Sequence, residues 1–332
     1  MANKEKFLVI GSNSFSGSDF IDLLLEEPQN EVVGVSRSPE KSALFLPYKA
    51  RVDANFTFFQ MDLNKDLSRI IETVDSFRPD YIVNFAAQSE VGPSWENPTQ
   101  WFQTNAVAIT GLANSLKDRQ FLKRYVHISS PEVYGTCEGM VTESSPPNPS
   151  TPYAASKAAG DLSLFTFVKN FKFPLVMIRS TNVYGAHQQL FKIIPRAVIY
   201  VKSGKQIELH GGGLAVKSYI HIRDISRGEL LAARMGRPGE IYHLSPDKGI
   251  AVRDVVQIIC DKMGVDFNNV TKSVEERLGQ DAAYIIDSSK ARKELGWRPE
   301  ISFEEGIAGV VRWIEDNWAQ IQKEKLEYIH KP

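Results

Sequence analysis

The first half of the chain alternates short apolar runs with longer segments of helical period, and this alternation restricts the possible folds more than any other feature. The apolar runs include FLVI at 7, EVVGV at 31, YIVNF at 81, RYVHI at 124 and LVMIR at 175. Repeated strand–helix–strand units give a parallel sheet with helices on both faces. We therefore predict a doubly wound α/β (Rossmann) fold, whose ligands bind outside the carboxyl ends of the strands.

The second half is less regular and predicts a smaller lobe. It contains the short strands IELHG, SYIHI and EIYHL and several helical segments, near 193–203, 251–263, 288–295 and 303–320. We predict a first domain over residues 1–180 that contains the doubly wound sheet and a smaller α/β lobe over 181–332. Because YIHIRDISRGELLAARM has the pattern of a strand followed by a helix, part of residues 218–245 is expected to return to the first domain.

Composition excludes several classes of partner. A formal net charge of −1 over 332 residues gives no electrostatic footprint for nucleic acid or an anionic membrane. The apolar run after Met1 is too short for a signal peptide or a membrane span. Two cysteines, Cys137 and Cys260, form neither a disulfide framework nor a zinc spacing. We expect a cytoplasmic protein that binds a small phosphorylated ligand and no metal.

The stretch FLVIGSNSFSGSDFIDLLLEE predicts a strand, a tight turn and a helix. Gly11 and Gly17 frame the turn, where a pyrophosphate could approach the backbone and the helix N-terminus. Ser14 stands where a middle glycine is usual, and such a pattern alone is also compatible with an ordinary turn. The residues predicted to bind the dinucleotide here and at later strand ends are Gly11, Asn13, Ser14, Phe15, Ser16, Gly17, Ser36, Arg37, Asp62, Leu63, Ala86 and Ala87.

The residues that follow the second strand select between NAD and NADP. A carboxylate there holds the ribose 2′-hydroxyl of NAD, whereas an arginine accommodates the 2′-phosphate of NADP. The stretch VVGVSRS offers Ser36, Arg37 and Ser38 but no acid. We therefore predict tightly bound, recycled NADP, with NAD as the alternative. A solvent-facing arginine is the other interpretation of Arg37.

Tyr153 and Lys157 lie four residues apart in TPYAASKAAGDLSLFTF and share one face of a predicted helix. A tyrosine with its ordinary pKa of about 10 is a poor base at neutral pH, but a nearby ammonium and an oxidised nicotinamide both favour the phenolate. Tyr153 could then deprotonate a substrate hydroxyl. The pair occurs by chance on many helices; its position after ISSPEVYG and downstream of a dinucleotide loop favours catalysis.

Taken in order, the motifs resemble those of the extended short-chain dehydrogenase/reductase family, specifically its nucleotide-sugar epimerases and dehydratases. The resemblance covers nearly the whole chain and rests on Gly11 to Gly17, NFAAQSEVGPSWENPTQWFQTNAVAITGL with Asn105, SSPEVYG, Tyr153 with Lys157, RSTNVYG at 179, KIIPRAV at 192, SYIHIRD at 218 and DSSKARKELGW at 287. It implies that Ser130 shares the substrate hydroxyl with Tyr153. It also implies that Tyr153 and Lys157 contact the cofactor, with Lys157 on the nicotinamide ribose.

Glu132 separates two activities within this family. The 4,6-dehydratases resemble this chain in placing a Glu just before the VYG step, whereas members that only epimerise usually carry a small or polar residue. Once hydride leaves C4 for the cofactor, the 4-ketone acidifies the C5 proton, which a nearby carboxylate can remove. The resemblance therefore implies a nucleotide-diphosphate-sugar 4,6-dehydratase, which loses water from C6 and returns the hydride there.

Pro131 departs from the glucose-type dehydratases, which often carry at this position an Asp that protonates the leaving C6 hydroxyl. Glu132 itself, Ser129, Cys137 and a water molecule remain candidates for that acid. The departure keeps open a variant that releases a 5,6-ene sugar. A 4-epimerase is the nearest rival function, and a non-catalytic NADP-sensing scaffold is the rival of another class, although such scaffolds typically lose the tyrosine or the lysine.

The resemblance also implies that domain 1–180 binds the dinucleotide, that lobe 181–332 mainly binds the sugar nucleotide, and which residues contact the latter. Asn182, Lys192 and Arg277 match positions that hold the substrate diphosphate, and Lys217 stands where many members have an arginine. The full predicted set is Ser89, Asn182, Lys192, His210, Lys217 and Arg277. Ala283 also departs from the usual pattern, so the substrate preference is expected to differ from that of the glucose dehydratases. UDP-N-acetylglucosamine, GDP-mannose and dTDP-glucose remain open, with a weak preference for a UDP sugar.

Family members that resemble this chain usually dimerise by packing two helices from each subunit into a four-helix bundle. The corresponding segments here are 98–117 and 153–170. Both carry apolar stripes, which include Trp101, Leu112, Leu116, Leu162, Phe165 and Val168. We therefore expect a homodimer; the alternative is that these stripes face only their own sheet.

Overall fold

The computed structural model describes residues 4–51, 55–136, 139–275 and 285–331. The strands are β1 (Lys6–Ile10), β2 (Glu31–Ser36), β3 (Phe56–Gln60), β4 (Tyr81–Asn84), β5 (Arg124–Ile128), β6 (Met140–Val141), β7 (Leu175–Ser180), β8 (Asn182–Tyr184), β9 (Ile207–His210), β10 (Val216–Lys217), β11 (Tyr219–His221), β12 (Glu240–Leu244), β13 (Ile250–Ala251), β14 (Thr271–Val274) and β15 (Ile285–Ile286).

The α-helices are α1 (Phe15–Leu24), α2 (Leu67–Phe77), α3 (Val91–Glu96), α4 (Pro98–Phe102), α5 (Ile109–Leu116), α6 (Pro152–Phe171), α7 (Ile193–Lys202), α8 (Ile222–Met235), α9 (Val252–Met263), α10 (Phe267–Val270), α11 (Ser289–Leu295), α12 (Phe303–Asp316) and α13 (Trp318–Ile321). Even α6, the longest of these described helices, lacks the apolar stretch that crossing a bilayer requires.

Seven strands form one parallel sheet in the order β12-β7-β5-β4-β1-β2-β3. The chain builds outward from β1 to β3 and then returns to place β4 on the other side of β1. Ligands bind at such a reversal, where the carboxyl ends of adjacent strands open a crevice. The predicted doubly wound α/β fold is confirmed. Strand β12 joins this sheet beside β7, although its residues lie in the half of the chain that was predicted to form the second lobe.

The sheet is buried on both faces, which explains why its strands are almost uninterrupted apolar runs. Successive side chains of a strand point to opposite faces. In β1, Phe7 and Val9 pack in one apolar cluster with Phe20 of α1, whereas Leu8 packs in another cluster with Leu112 of α5. Parallel sheets covered by helices on both sides have this pattern.

A third apolar cluster lies mainly in the second half of the chain. Helices α7, α9 and α12 contribute Val198, Val255 and Val310, which are completely buried. Short two-stranded sheets accompany these helices: β8 with β11, β9 with β14 and β10 with β13. The boundary between two domains near residue 180 stays a prediction.

The helical region that follows β4 contains a turn of π-helix. Residues Gln103–Ala108 have π geometry and connect α4 to α5. Such turns are frequent at functional sites. Here the turn presents Asn105, whose side chain accepts a hydrogen bond from the Gln88 amide at 2.9 Å and donates to the Ser156 hydroxyl at 3.0 Å. The loop after β4 is thereby fastened to α6.

The apolar stripes predicted to form a dimer interface are distributed differently in the structure. Trp101, Leu112 and Leu116 are completely buried in their own subunit, so the prediction that they face a partner is wrong. Phe102 and Leu162 are exposed instead. Consecutive residues of a helix point about 100° apart, and a stripe of similar residues does not reveal by itself which edge reaches the surface.

Candidate active site

A cleft of about 330 Å³ lies at the carboxyl ends of β1, β2 and β4, and its volume is typical of a small-molecule site. Residues from the predicted cofactor set line it: Gly11, Asn13, Ser14, Ser36, Arg37, Asp62, Leu63, Ala86 and Ala87. Ser89, predicted to bind substrate, lines it too. Phe15, Ser16 and Gly17 form the first turn of α1 and do not appear in the lining.

The two glycines of the β1–α1 turn are required by close backbone contacts. Gly11 has a φ of 85°, and a Cβ there would lie 2.7 Å from the Ala86 nitrogen. A Cβ on Gly17 would lie 2.5 Å from the Gly11 carbonyl oxygen. Ser14 is the N-cap of α1, and its hydroxyl accepts a hydrogen bond from the Gly17 amide at 3.0 Å. The serine in place of a middle glycine therefore stabilises the helix that points at the cleft.

Several positively charged residues line the cleft near the carboxyl end of β2. Arg37, Lys41 and Lys331 all line it, and no carboxylate directly follows β2. The guanidinium of Arg37 donates to the Lys331 carbonyl oxygen at 2.9 Å. Burial, with a smaller contribution from the charge of Lys331, lowers the pKa of Lys41. Asn13 donates to the Ser38 carbonyl at 2.8 Å and so holds the loop that carries these cations.

The loop after β5 places Ser130 and Glu132. Residues Pro131–Tyr134 form one turn of 3₁₀ helix, and the Ser130 hydroxyl caps it by accepting from the Glu132 amide at 3.2 Å. Pro131 occupies the first position, where its fixed φ suits the turn and its missing N–H costs no hydrogen bond. The proline thus sets the direction of Glu132 even though it carries no acid.

Tyr153 lies in the first turn of α6, whose N-cap is Thr151. Its amide donates to the Ser94 hydroxyl at 3.2 Å, and its side chain is buried. Burial raises the pKa of Tyr153 well above its usual range, the negative charge of Glu132 raises it further, and a hydrogen bond with Ser130 partly opposes both. The structure therefore brings Ser130, Glu132 and Tyr153 together.

Lys157 lies one turn farther along α6 and is almost completely buried. Its ammonium donates to the Ile128 carbonyl at 2.7 Å and lies 3.4 Å from Nε2 of His127. Burial lowers its pKa to about 8; the carboxylate of Asp161 opposes this shift, and Arg179 adds to it. Because this pKa lies near neutral pH, the Lys157 ammonium can release or regain a proton there.

A buried network lies behind these residues. Asp161 accepts hydrogen bonds from Arg179 at 2.7 Å and from the Ser129 hydroxyl at 2.6 Å, and Arg179 also donates to the Tyr134 hydroxyl at 2.6 Å. Ser129, one of the candidates for the C6 acid, is therefore directed into this network. In the sequence, only the spacing of four residues between Lys157 and Asp161 indicated that these two side chains lie on the same face of a helix.

His243 of β12 completes the network. Its Nδ1 lies 3.1 Å from the Asp287 carbonyl oxygen, which can only accept, so Nδ1 carries the proton. Its Nε2 accordingly accepts from the Tyr134 hydroxyl at 2.7 Å. Burial, reinforced by the charge of Arg179, lowers the pKa of His243 to about 3. The strand that returns to the sheet therefore helps to hold the loop that carries Glu132.

Glu90 is a cleft residue that the sequence motifs did not single out. It follows Ser89 in the loop between β4 and α3 and lines the cleft. Lys192, predicted to bind the substrate diphosphate, is held by it, with 2.7 Å between Nζ and Oε1. The negative charge of Glu90 also contributes to the raised pKa of Tyr153. An acid in AAQSEVG, just past a strand end, was the only local signal for it.

The remaining predicted substrate residues are not part of the cleft lining in the described chain. Asn182 donates to the Ser218 carbonyl at 3.3 Å, and Nδ1 of His210 lies 3.0 Å from the Glu275 carbonyl oxygen. Lys217 lies in β10, which pairs with β13. Arg277, Cys137 and Ala283 lie outside the described residues.

Residues 8–310 match the family described as GDP-mannose 4,6 dehydratase. The dTDP-glucose 4,6-dehydratase of Streptomyces antibioticus is 33% identical over 328 residues, which cover 95% of both chains. The corresponding enzyme of Haemophilus influenzae is 29% identical over 330 residues, covering 92% of this chain and 96% of that one.

Solved structures agree with these relatives. The dTDP-glucose 4,6-dehydratase from Streptomyces venezuelae, with NAD and TYD bound, superposes with a TM-score of 0.87 at 33% identity, covering 95% of this chain and 98% of that one. A UDP-glucose 4-epimerase from Thermotoga maritima, with UDP-glucose, gives 0.85 at 25% identity, covering 94% and 99%. The predicted resemblance is confirmed: the chain belongs to the GDP-mannose 4,6-dehydratase family within the extended short-chain dehydrogenases/reductases and is an NAD(P)-dependent nucleotide-sugar dehydratase.

Proposed function

We propose that the protein is a 4,6-dehydratase that converts dTDP-glucose to its 4-keto-6-deoxy derivative. The observation that carries this proposal is the joint placement of Glu132, Ser130 and Tyr153, because an epimerase needs the hydroxyl pair but not the carboxylate. The curated relatives, which act on dTDP-glucose by name, support the choice of substrate. A UDP sugar such as UDP-N-acetylglucosamine is the second substrate to test, since Lys217 departs from the arginine of many members.

The first step is removal of the C4 hydroxyl proton. Tyr153 accepts this proton as phenolate, and Ser130 holds the same oxygen. In the structure, burial and Glu132 keep Tyr153 protonated, so the phenolate requires added positive charge nearby. Lys157 supplies part of that charge from one turn along α6. The bound dinucleotide supplies reversible hydride chemistry, and the cleft fits it because the β1–α1 turn and the ends of β2 and β4 line it together.

Elimination needs a base for C5 and an acid for C6. Glu132 removes the C5 proton once C4 is a ketone. Glu90 is our candidate for the acid, because it lines the cleft and acts electrostatically on Tyr153. A substrate diphosphate that draws Lys192 away would release the Glu90 carboxyl group from its ion pair. The C6 oxygen then leaves as water with the proton of Glu90.

We propose NADP as the dinucleotide. Three cations, Arg37, Lys41 and Lys331, line the part of the cleft that follows β2. Solved neighbours bind NAD by their descriptions, and the cation cluster is the reason to expect a different preference here. A 2′-phosphate beside Arg37 gains charge-assisted hydrogen bonds that a 2′-hydroxyl cannot make.

The direct test is incubation with a panel of dTDP-glucose, UDP-N-acetylglucosamine and GDP-mannose, followed by mass spectrometry for loss of water. Substrate deuterated at C4 distinguishes the products: a 4-keto-6-deoxy sugar carries the deuterium in its C6 methyl group. A 5,6-ene product, which Pro131 favours as a second outcome, retains it at C4. A product of unchanged mass with inverted C4 would identify an epimerase and contradict the proposal.

We further propose a homodimer in which segments 98–117 (α4, the π-helical turn and α5) and 153–170 (in α6) of each subunit form a four-helix bundle. Phe102, Val107 and Leu162 support this arrangement because they are exposed apolar side chains of these segments. Leu162→Glu should convert the dimer to a monomer in sedimentation at micromolar concentration. Met235→Glu, which changes an exposed apolar residue of α8, is the matched control and should leave the dimer intact.

A cytoplasmic location is part of the same proposal. It is supported by the presence of only two cysteines in 332 residues.

A further inference from the structure

The segment 325–331 contributes to the lining of the dinucleotide cleft. Tyr328, Ile329 and Lys331 belong to the cleft lining. The carbonyl oxygen of Lys331 accepts two hydrogen bonds, one from Arg37 and one from the Gln88 side chain, both at 2.9 Å. The segment therefore contacts the end of β2 and the loop after β4, which are the two parts of the wall that would enclose a dinucleotide.

A second set of contacts anchors the segment to the body of the protein. The His330 ring stacks on Trp101, with 5.3 Å between the ring centroids and 12° between the planes. Its Nε2 lies 2.7 Å from Oε1 of Gln100, and its Nδ1 lies 3.2 Å from the Tyr328 hydroxyl. Tyr328 in turn packs edge-on against Phe191 at 5.5 Å. His330 is thus the anchor, although it is not itself in the cleft lining.

The segment also adds positive charge to the cleft. Lys331 brings a positive charge to a part of the cleft that already holds Arg37 and Lys41, and Lys41 is close enough to feel that charge. The lining also contains the carboxylates of Asp62 and Glu90, yet Lys41 is still repelled by the charge of Lys331. A phosphate bound there would reverse this repulsion into attraction.

We propose that segment 325–331 forms the outer wall of the dinucleotide site, where it slows cofactor release and uses Lys331 to favour NADP over NAD. The inference rests on the proposed cofactor role of the cleft. Because the segment contacts Arg37 at the end of β2, a dinucleotide enclosed behind this contact leaves only after the segment undocks. Retention is useful to an enzyme whose cofactor takes a hydride at C4 and must return it at C6 within one turnover.

Two variants separate the two parts of the inference. His330→Ala removes the anchor but leaves every cation in place, and we expect both dinucleotides to dissociate about fivefold faster, as for the loss of roughly one interaction of 1 kcal/mol. Lys331→Met removes the charge but keeps the carbonyl that binds Arg37, and we expect about threefold weaker NADP with unchanged NAD, as for an exposed ion pair.

The measurements are dinucleotide titrations and displacement rates on cofactor-stripped protein, so they do not depend on turnover. Lys325→Met is the matched control, because Lys325 lies in the same segment but outside the cleft lining. Hydrogen exchange of residues 326–331 should slow when NADP is added. Wild-type rates and affinities in both variants would overturn the inference. Failure of the wild-type protein to bind either dinucleotide would instead overturn the proposed function.

Discussion

Two groups of residues around the cleft are built in different ways. The first, which we call the inner wall, consists of Ser130, Glu132, Tyr153 and Lys157; it is not part of the cleft lining in the described chain, and a completely buried network around Asp161 supports it. The second, which we call the outer wall, consists of exposed or half-buried contacts, such as the Glu90–Lys192 ion pair and the contacts of segment 325–331. The inner-wall residues are held by partners that stay in place, whereas the outer-wall residues, Glu90 among them, are held by partners that a ligand can replace.

Among the inner-wall variants, we expect Tyr153→Phe to reduce the rate of dehydration most. Removing the phenol oxygen removes the base for the C4 hydroxyl, and we expect a loss of dehydration of about 10³-fold, within the usual range for a general base. Dinucleotide affinity should change little, because Lys157 and the cleft lining remain. Turnover is checked by product formation and affinity by titration. Activity within tenfold of wild type would assign the proton transfer to another group.

Glu132→Gln tests the second inner-wall group. We expect dehydration to fall about 10²-fold because the C5 base is lost, while oxidation at C4 continues and reduced cofactor accumulates. Stopped-flow absorbance of the reduced nicotinamide measures the first step, and exchange of the C5 proton with deuterated solvent measures the second. Normal dehydration in this variant would assign the C5 base to another group, whereas inversion at C4 without loss of water, at an unchanged rate, would support a 4-epimerase.

Acidification should weaken the inner wall through His243. The folded protein keeps this imidazole neutral down to a pKa of about 3, whereas the unfolded chain binds the proton near pH 6.5. Its stabilisation is complete above pH 6.5 and is lost as the pH falls toward 3. Between pH 7 and 5 we expect His243 to contribute about 2 kcal/mol to the decrease in the free energy of unfolding. The buried His127 and the half-buried His221, whose pKa values are also lowered, add to this decrease. His243→Gln should therefore reduce the slope in urea titrations without abolishing it; an unchanged slope would exclude His243 as a contributor.

Glu90→Gln tests an outer-wall group and should have a smaller effect. We expect dehydration to slow about tenfold, at the low end of the range for a proton donor, because water can replace the donor in part. Exchange of the C5 proton should continue, which distinguishes loss of the C6 acid from loss of the C5 base. Lys192→Met is the companion variant: it should weaken substrate binding and leave C5 exchange at saturation unchanged. Loss of C5 exchange in Glu90→Gln would contradict the assignment.

Pro131→Asp sharpens the comparison because it places an acid on the inner wall. The proline begins the turn that aims Glu132, and a carboxylate beside Glu132 would raise the pKa of one of the pair. We expect dehydration to fall several-fold, by less than about tenfold, with C4 oxidation retained. A several-fold faster release of 4-keto-6-deoxy product would show that C6 departure limits the native enzyme.

The sequence predicted the inner wall better than the outer one. Strand alternation and the spacing of Tyr153 and Lys157 are local patterns, and local patterns carry the fold and its motifs. The outer wall depends on pairs such as Arg37 and Lys331, which are 294 residues apart and leave no local trace. Lys192 shows a second limit of sequence-based prediction. The motif identifies Lys192 as a basic residue that binds substrate, but it does not identify Glu90 as its ion-pair partner in the structure.

The π-helical turn at Gln103–Ala108 has a consequence for how this protein could change over time. It contains one residue more than an α-helical turn would hold, so deleting a single residue would restore an ordinary helix while α4 and α5 keep nearly the same orientation. The deletion would remove the wide turn that presents Asn105 to Gln88. It would also bring the exposed Phe102 and Val107 one residue closer along the helix. Ligand site and outward-facing helix surface are therefore coupled through one inserted residue, and selection on either constrains the other.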